Sequence, residues 1–265
     1  MKVEISDEQK RLNSIKTLTR TYFDYQDERI ALDGRLGVTK SGVKKKGSPE
    51  KEDILLIHVK DHRDSCLAME ETIAKDLAVE VHKHPLWKNF LCDVKGVGHI
   101  IAAVIISEFD IHRFVNVSKG WQFAGLNSGM VPGKKWNKGK TAITVTTERV
   151  QGDKKTKGFL CPCNMFLKKM LLGVLGPSFL KCKSPYTEFY YNIRHRYESE
   201  NWGIASKNPT DKKLPKANHQ HRAANRYMVK QFVADLYEAW RRMEGLPVRE
   251  PYQQEYLGHT HNEVK

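Results

Sequence analysis

The stretch LCDVKGVGHIIAAVIISEFD, residues 91–110, organises the rest of the chain. Gly96 and Gly98 stand between an apolar turn and a second apolar run at residues 100–106. Glycine permits a positive φ and close approach of two backbones, so two short helices can fold back on each other at this point. The pattern is typical of a helix-hairpin-helix, and its alternative is a buried helical hairpin with a tight glycine turn.

The start of the second of these helices is a candidate anion site. Its first N–H groups have no partner within the helix, and they lie beside Lys95 and His99 in the sequence. Free amides at the positive end of a helix bind phosphate oxygens. Lys95, Gly96, Gly98 and His99 are therefore predicted to hold the DNA backbone without reading its bases.

Positive charge is concentrated on one side of the chain, whose formal net charge is +14. Residues 1–90 hold 17 Lys and Arg against 16 Asp and Glu, whereas residues 91–265 hold 28 against 15. A localised excess of this size indicates a nucleic-acid partner, and general solubility is the alternative explanation. Double-stranded DNA is the predicted partner.

The chain has no apolar run long enough to span a bilayer, and its charged N-terminus lacks the pattern of a signal peptide, which predicts a cytoplasmic protein without membrane contact. Five scattered cysteines suit reduced thiols. Cys161 and Cys163, separated by one residue, lack the spacing of a structural zinc site. We therefore expect neither metal ligands nor a cofactor in this chain.

The first 84 residues predict two long helices. Residues 6–36 carry apolar side chains mostly three or four apart, and Arg29 interrupts this stripe. A second helix is expected from Pro49 to about His82. The narrow apolar seam and nearly balanced charges suit a coiled coil, which can form within one chain or between two copies. A homodimer is the expected assembly.

Residues 127–158 are rich in glycine and lysine, and the alternating residues 142–146 predict a strand or short hairpin. Lysines surround Trp136, an arrangement that suits a phosphate-rich groove, and a solvated loop is the alternative. The residues of this segment that are predicted to contact DNA are Lys134, Lys135, Trp136, Lys138 and Lys140.

Further helices are predicted on either side of this segment. A short one is capped by Ser118. The next covers residues 159–175, with Lys168 outward, and ends at Gly176-Pro177; another begins with Ser184 as its N-cap. The last covers residues 217–244 and carries a polar stripe at helical spacing. That stripe consists of His219 and three predicted DNA contacts, Arg222, Arg226 and Lys230.

These patterns predict a mainly α-helical protein in three parts. Residues 1–84 form a two-helix coiled coil. Residues 85–250 form a helical DNA-binding domain that contains the helix-hairpin-helix and a small basic β-hairpin. Residues 251–265 form an extended tail.

Several motifs resemble the C-terminal domain of the IS-one-ten insertion-sequence transposases and the related pilin-gene invertases. They are KGVGHIIAAVIISEFDIHRF (95–114), FAGL (123–126), KSPYTEFYYNIRHRY (183–197), HQHRAANRYMVKQFVADLYEAWRRMEGLPVREPY (219–252) and YLGHTH (256–261). The resemblance covers about residues 90–260. It implies DNA transposition or site-specific recombination in a prokaryotic, nucleoid-associated setting, with a guide RNA as a further candidate partner.

Full members of that family join an RNase-H-like domain, whose four acids hold two Mg²⁺ ions, to a domain with a serine that becomes linked to DNA. The residues before 90 show no strand-rich pattern, and the acids Asp24, Asp27, Glu28 and Asp33 lie on a predicted helix, where we expect ordinary solvated charges. Mg²⁺ is therefore expected only if a partner supplies the RNase-H-like site.

Ser128 is the candidate nucleophile that the resemblance implies. It follows Ala124-Gly125-Leu126 at a shorter spacing than the family usually shows, and a plain turn residue is the alternative. The sequence leaves three functions open: a transposase or recombinase, a non-catalytic DNA- or RNA-binding protein derived from a mobile element, and a coiled-coil scaffold for an acidic protein.

Overall fold

The structure, a computed structural model, describes residues 6–46, 56–137, 139–199 and 217–249. Within these ranges the chain is mainly helical with one pair of antiparallel strands, which confirms the predicted class. The described residues divide into two compact units. The first contains the residues up to 88 together with 98–108, and the second contains 89–97 and the residues from 109 onward.

Helix α1 (Asp7–Leu36) and helix α2 (Ile57–Lys83) confirm the two long predicted helices. Ser6 caps α1 by accepting a hydrogen bond from the Gln9 amide, and Gly37, at φ +69°, ends it. The described part of the second helix begins at Ile57, and the start predicted at Pro49 lies among residues 47–55, outside the described ranges. The helix α3 (Pro85–Asn89) and a 3₁₀ turn (Leu91–Asp93) follow α2 in the chain.

Helices α1 and α2 pack against each other within one chain and run antiparallel. Arg11 near the start of α1 pairs with Glu80 near the end of α2, whereas Asp33 near the end of α1 pairs with Arg63 near the start of α2. Of the two pairings that the sequence allows, this structure contains the intramolecular one.

Helix α4 (His99–Glu108) belongs to the first unit, where it packs against both α1 and α2. Its residues from Ile101 to Ile106 are all buried, as expected for a helix that is apolar on every side. At its end the Arg20 guanidinium donates from Nε to Glu108 Oε1 over 3.1 Å. The sequence places a domain boundary at residue 84, but α4 lies with the N-terminal helices.

Buried charges join α1 to α2, and they correct one expectation. Arg29, which interrupts the apolar stripe of α1 in the sequence, is buried in the structure, and its guanidinium donates to Glu70 Oε2 and to Asp33 Oδ2, each over 2.6 Å. Asp33 also accepts from Arg63 Nε over 2.9 Å, so it is not an ordinary solvated charge. Burial would raise the pKa of Glu70, but the hydrogen bonds from Arg29, Gln26 and Lys40 lower it below its usual value.

The second unit is built around α9 (Ala217–Met243), which Gly245 ends at φ +65° as predicted. Phe179 and Phe232 meet edge to face beside Tyr186 at the centre of its core. Besides the 3₁₀ turn at Leu91–Asp93, its other elements are a second 3₁₀ turn (Ile111–Arg113), α5 (Val117–Phe123), β1 (Met130–Trp136), β2 (Ile143–Gln151), α6 (Met165–Met170), a π-helical segment (Leu171–Leu175), α7 (Gly176–Cys182) and α8 (Thr187–Ser199).

Several predicted helix ends are wrong. Asn116, not Ser118, caps α5, because its side chain accepts from the Lys119 amide. Gly176-Pro177 does not end its helix: Pro177 occupies the first turn of α7, where no amide donor is required of it. The Ser184 hydroxyl is buried without a hydrogen-bond partner among the described residues, and α8 begins three residues later, at Thr187.

Strands β1 and β2 form the predicted basic hairpin, paired from Met130–Gln151 to Trp136–Ile143 with an irregularity between Pro132 and Lys134. Gly133 lies at this irregularity, and a Cβ there would clash with the Phe159 ring. The strands therefore pack closely against the segment that follows them.

No helix in the described part of the chain has both the length and the apolar character that crossing a bilayer requires.

Candidate nucleic-acid interface

The loop after α5 carries the candidate serine, and its conformation depends on Gly125. This residue adopts φ +67°, and a Cβ there would lie 2.8 Å from Lys168 Cδ and 3.1 Å from Cys163 Sγ. The Leu126 amide donates to Trp121 O over 2.8 Å and closes the turn. The Ala124-Gly125-Leu126 motif thus sets the loop directly against the Lys168 side chain.

The other side of the loop rests on the end of β2. The Gly152 amide donates to Gly129 O over 2.9 Å, and a Cβ on Gly152 would lie 3.0 Å from Asn127 O. Within the loop, the Gly129 amide donates to Asn127 Oδ1 over 3.0 Å. Ser128 lies between Asn127 and Gly129 in this loop, and its side chain is exposed.

A buried carboxylate, Asp153, lies immediately after Gly152 and holds two cations. Its Oδ2 accepts from Lys168 Nζ over 3.1 Å and from Arg226 Nη2 over 2.9 Å. Burial would raise the pKa of Asp153, but the hydrogen bonds from Lys168 and Arg226 lower it below its usual value. Asp153 Oδ1 and Arg226 Nη1 are buried without hydrogen-bond partners among the described residues.

A third cation, Lys230, lies one helical turn after Arg226 and lines a groove of about 310 Å³. Its Nζ stands 5.1 Å from the centre of the Trp121 ring, whose Nε1 donates to Lys230 O over 3.0 Å. Burial and the charge of Arg226 lower the pKa of Lys230. The other residues that line the groove are Asn116, Ser118, Lys119, Gln122 and Asn127.

The groove therefore brings one predicted DNA contact, Lys230, next to the loop of the candidate serine, since Asn127 lines it and Ser128 follows in the chain. Lys168, Arg226 and Lys230 carry three positive charges, and Asp153 supplies one negative charge between two of them. Of these three cations only Lys230 lines the groove itself, where Lys119 is the second cation and none of the described lining residues is a carboxylate, so the groove attracts an anion. In the described ranges no hydrogen bond joins the Ser128 hydroxyl to a base.

The four residues of the predicted polar stripe on α9 lie in different environments. His219 and Arg222 are exposed, Arg226 is bound to Asp153, and Lys230 lines the groove. Only part of the stripe is thus available at the surface, although all four residues share a helical face as the spacing predicts.

The hairpin residues lie outside the groove lining. Lys134 is exposed, and Lys135 pairs with Glu148 at 3.0 Å while standing 4.0 Å from the centre of the Phe159 ring. Trp136 keeps 49% of its surface exposed. Lys140 lies in the connecting turn at φ +53°, and Lys138 lies outside the described residues.

The four residues of the predicted phosphate turn belong to both units. In the second unit Lys95 is exposed, and Gly96 adopts φ +103° with a Cβ position 2.9 Å from Phe179 Cδ1, so glycine is needed there. In the first unit Gly98 is exposed, and burial together with the charge of His82 lowers the pKa of His99. Phosphate binding at this turn stays a prediction.

Sequence reasoning missed Lys119, Asp153 and Lys168 as parts of this region. Lys168 was expected to point outward, because it lies opposite an apolar helical stripe, but its stem packs on Gly125 and its amine reaches Asp153. The Gly152-Asp153 pair, a few residues beyond the strand predicted at 142–146 and directly after β2, was the available signal, since glycine next to a strand marks close backbone approach.

Comparisons with protein-family models, with curated proteins and with solved structures find no match to this chain. The groove and the sequence motifs are therefore the features that bear on its function.

Proposed function

We propose that this chain is a DNA-binding protein of DNA transposition or site-specific recombination, and that the groove beside Ser128 holds a phosphate of the DNA backbone. The observation that carries the proposal is the half-buried Lys230 ammonium, which stands beside Arg226 and has no carboxylate partner in the described ranges. The resemblance of the motifs to IS-one-ten transposases supports the choice of reaction.

A bound phosphate would compensate the charge that the protein leaves uncompensated. Asp153 is the counter-charge for Lys168 and Arg226, so burial and the like charge of Arg226 disfavour the protonated form of Lys230 and lower its pKa. A phosphate oxygen in the groove would contact Lys230 and Lys119 and would raise the pKa of Lys230 again. This is the electrostatic arrangement of a site made for an anion.

Duplex DNA is the ligand that fits the wider surface. Arg222 and Lys134 are exposed in the same unit, and residues 91–265 carry 28 Lys and Arg against 15 Asp and Glu. In this proposal the Gly96–Gly98 turn acts as a helix-hairpin-helix contact, and α1 with α2 forms the coiled coil that mediates homodimerisation. Binding through several phosphates should weaken by about 10³-fold when salt rises from roughly 50 to 200 mM.

Fluorescence anisotropy with a labelled duplex, measured as a function of salt, tests this binding. Lys230→Gln should weaken affinity by about 3- to 10-fold at low salt and reduce the salt slope by about one. Lys181→Gln, which removes an exposed lysine of α7 outside the groove lining, is the matched control. Equal losses in the two variants would refute the groove as the binding site.

Catalysis by Ser128 is the finer part of the proposal. Its hydroxyl would attack a phosphodiester phosphorus and release one deoxyribose oxygen, which takes the serine proton, so that a serine–DNA ester replaces the broken bond. The RNase-H-like Mg²⁺ site that accompanies this serine in the resembling family would come from a partner chain. The cations around Asp153 lie beside the same loop, where they would stabilise charge on the phosphorus.

A non-catalytic DNA- or RNA-binding protein is the second candidate, and the lack of a base bonded to Ser128 among the described residues favours it. A covalent-adduct assay with Ser128→Ala, run with supercoiled DNA and Mg²⁺ in lysate that contains any partner, separates the two. Adduct formed by the wild type alone supports catalysis. Adduct from neither protein, with unchanged DNA binding, supports the non-catalytic function.

A further inference from the structure

Three metal-binding side chains meet between α1 and α2, away from the groove described above. Glu28 comes from α1, and His62 and Cys66 come from α2. The spacing of four residues places His62 and Cys66 on one face of α2. One ligand atom from each of the three lies within 4.8 Å of the others.

The cluster has one buried side and one open side. Cys66 is 2% exposed, whereas Glu28 and His62 keep 49% and 55% of their side chains exposed. His62 Nε2 lies 3.2 Å from Glu28 Oε1. Burial, together with the charge of Glu28 and a hydrogen bond to it, raises the pKa of the Cys66 thiol. A small cation arriving from solvent would therefore reach the exposed Glu28 and His62 side chains before the buried Cys66 sulfur.

We propose that Glu28, His62 and Cys66 bind a Zn²⁺ ion that links α1 to α2. A carboxylate, an imidazole and a thiolate belong to the ligand set that zinc prefers, and three protein ligands leave the fourth tetrahedral position to a water molecule. On binding, the Cys66 thiol loses its proton to solvent. The two charges of the ion are then balanced by the thiolate and the Glu28 carboxylate.

The neighbouring charges leave room for the ion and hold its ligands in place. Arg29, the residue after Glu28, directs its guanidinium to Glu70 and Asp33. Arg63, the residue after His62, is likewise held by Asp33. These buried ion pairs fix the register of the two helices, so the three ligands approach one another before any metal arrives. This proposal differs from the sequence expectation of no metal in this chain, and a metal titration decides between the two.

Titration of the full-length, reduced protein with Co²⁺ alone, followed by Zn²⁺ competition, tests the site. We expect one equivalent of Co²⁺ to produce a thiolate-to-metal charge-transfer band, and Zn²⁺ to abolish it. Zn²⁺ at about 100 times its dissociation constant should raise the melting temperature on the order of 5 °C. His62→Ala, at a half-exposed position, and Cys66→Ser should each weaken binding at least about 10-fold and remove the thermal shift.

The chain offers matched controls for a competing thiol site. Cys92→Ser removes an exposed cysteine, and a Cys161→Ser/Cys163→Ser double variant removes the pair whose sulfurs lie 4.0 Å apart. Both should bind Co²⁺ and Zn²⁺ as the wild type does. The proposal is overturned if the wild type binds no Zn²⁺ at micromolar concentration, or if His62→Ala binds normally while the double variant loses the charge-transfer band.

Discussion

Each unit of this protein buries a cluster of charges, and the two clusters differ in their balance. Between α1 and α2, the guanidinium groups of Arg29 and Arg63 meet the carboxylates of Glu70 and Asp33. All four side chains are at most 7% exposed, and every one of them has an oppositely charged partner. This cluster is complete in itself and can account for the pairing of the helices.

In the second unit one carboxylate, Asp153, faces Lys168 and Arg226, and Lys230 stands one turn further along α9. Positive charge remains after every pair in the described part of this cluster has formed. Burying a surplus cation costs free energy, so a ligand that relieves the cost is expected at the second cluster and not at the first. We therefore expect the charges between α1 and α2 to stabilise the fold, and the surplus positive charge near Asp153 to bind a ligand.

The largest loss of stability should follow from removing one charge from the cluster between α1 and α2, in which every charge has a partner. Arg29→Met removes the buried guanidinium that bridges Glu70 and Asp33 and leaves Glu70 only the exposed Lys40 as a cationic partner, which should lower the free energy of unfolding by about 3–5 kcal/mol. Urea unfolding followed by circular dichroism measures the loss. Lys16→Met, at an exposed position of the same helix, should change stability by less than about 0.5 kcal/mol. Similar values for the two variants would contradict a structural role for this cluster.

Asp153→Asn should lower the stability of the protein by a smaller amount and should strengthen its binding to DNA. Lys168 and Arg226 are partly exposed, so leaving them without their carboxylate should cost about 2–3 kcal/mol. The same change removes one negative charge near the groove and should strengthen DNA binding at low salt. Urea unfolding and anisotropy on the same preparation check both signs. Weaker DNA binding by a folded variant would count against a binding role for the surplus charge.

The turn of the serine loop should show an effect of intermediate size. Gly125→Ala combines left-handed backbone strain with a clash against Lys168, for a loss of about 2 kcal/mol. Gly158→Ala shares the positive φ but meets no atom within 4 Å, so it should cost only about 1 kcal/mol. The difference in melting temperature between the variants isolates the contact with Lys168, and equal melting temperatures would show that this contact is unimportant.

The smallest effect near neutrality should come from titration of the two buried carboxylates, Glu70 and Asp153. The folded pKa values of Glu70 and Asp153 lie below the ordinary values of 4.5 and 3.8, so their stabilisation is complete above those values and is lost as the pH falls through the folded pKa values. Between pH 7 and 5.5 they should change the free energy of unfolding by less than about 0.5 kcal/mol. Below pH 4.5, urea titrations of Glu70→Gln should show a flatter acid dependence than the wild type.

The sequence was sufficient for the long helices and the hairpin, because apolar periodicity and alternation are local signals. Gly245 likewise marked the end of α9. The sequence did not reveal which charged residues pair with each other once they are buried. Arg29 looked like an interruption because Glu70, which compensates it, lies 41 residues away. Lys168 looked solvated because helical spacing shows which face is polar but not which carboxylate stands opposite.

The candidate groove was only partly foreseen for the same reason. Lys230 and Ser128 were singled out separately, from a helical stripe and from a short motif. Their relation depends on Trp121 and Asn127, which bring α5 and the loop beside α9. The tail at 251–265 and Lys138 lie outside the described residues, so the predictions about them stand as they were made.

The return of residues 98–108 to the first unit has a consequence for anyone who wishes to dissect this protein. The polypeptide leaves the N-terminal helices after residue 88 and re-enters them through α4, whose buried apolar surface completes their core. A fragment that stops at residue 88 would therefore expose the surface that α4 covers and should aggregate. Exchange of the first unit alone, in the laboratory or by gene rearrangement, therefore requires three breakpoints in the coding sequence, after residues 88, 97 and 108.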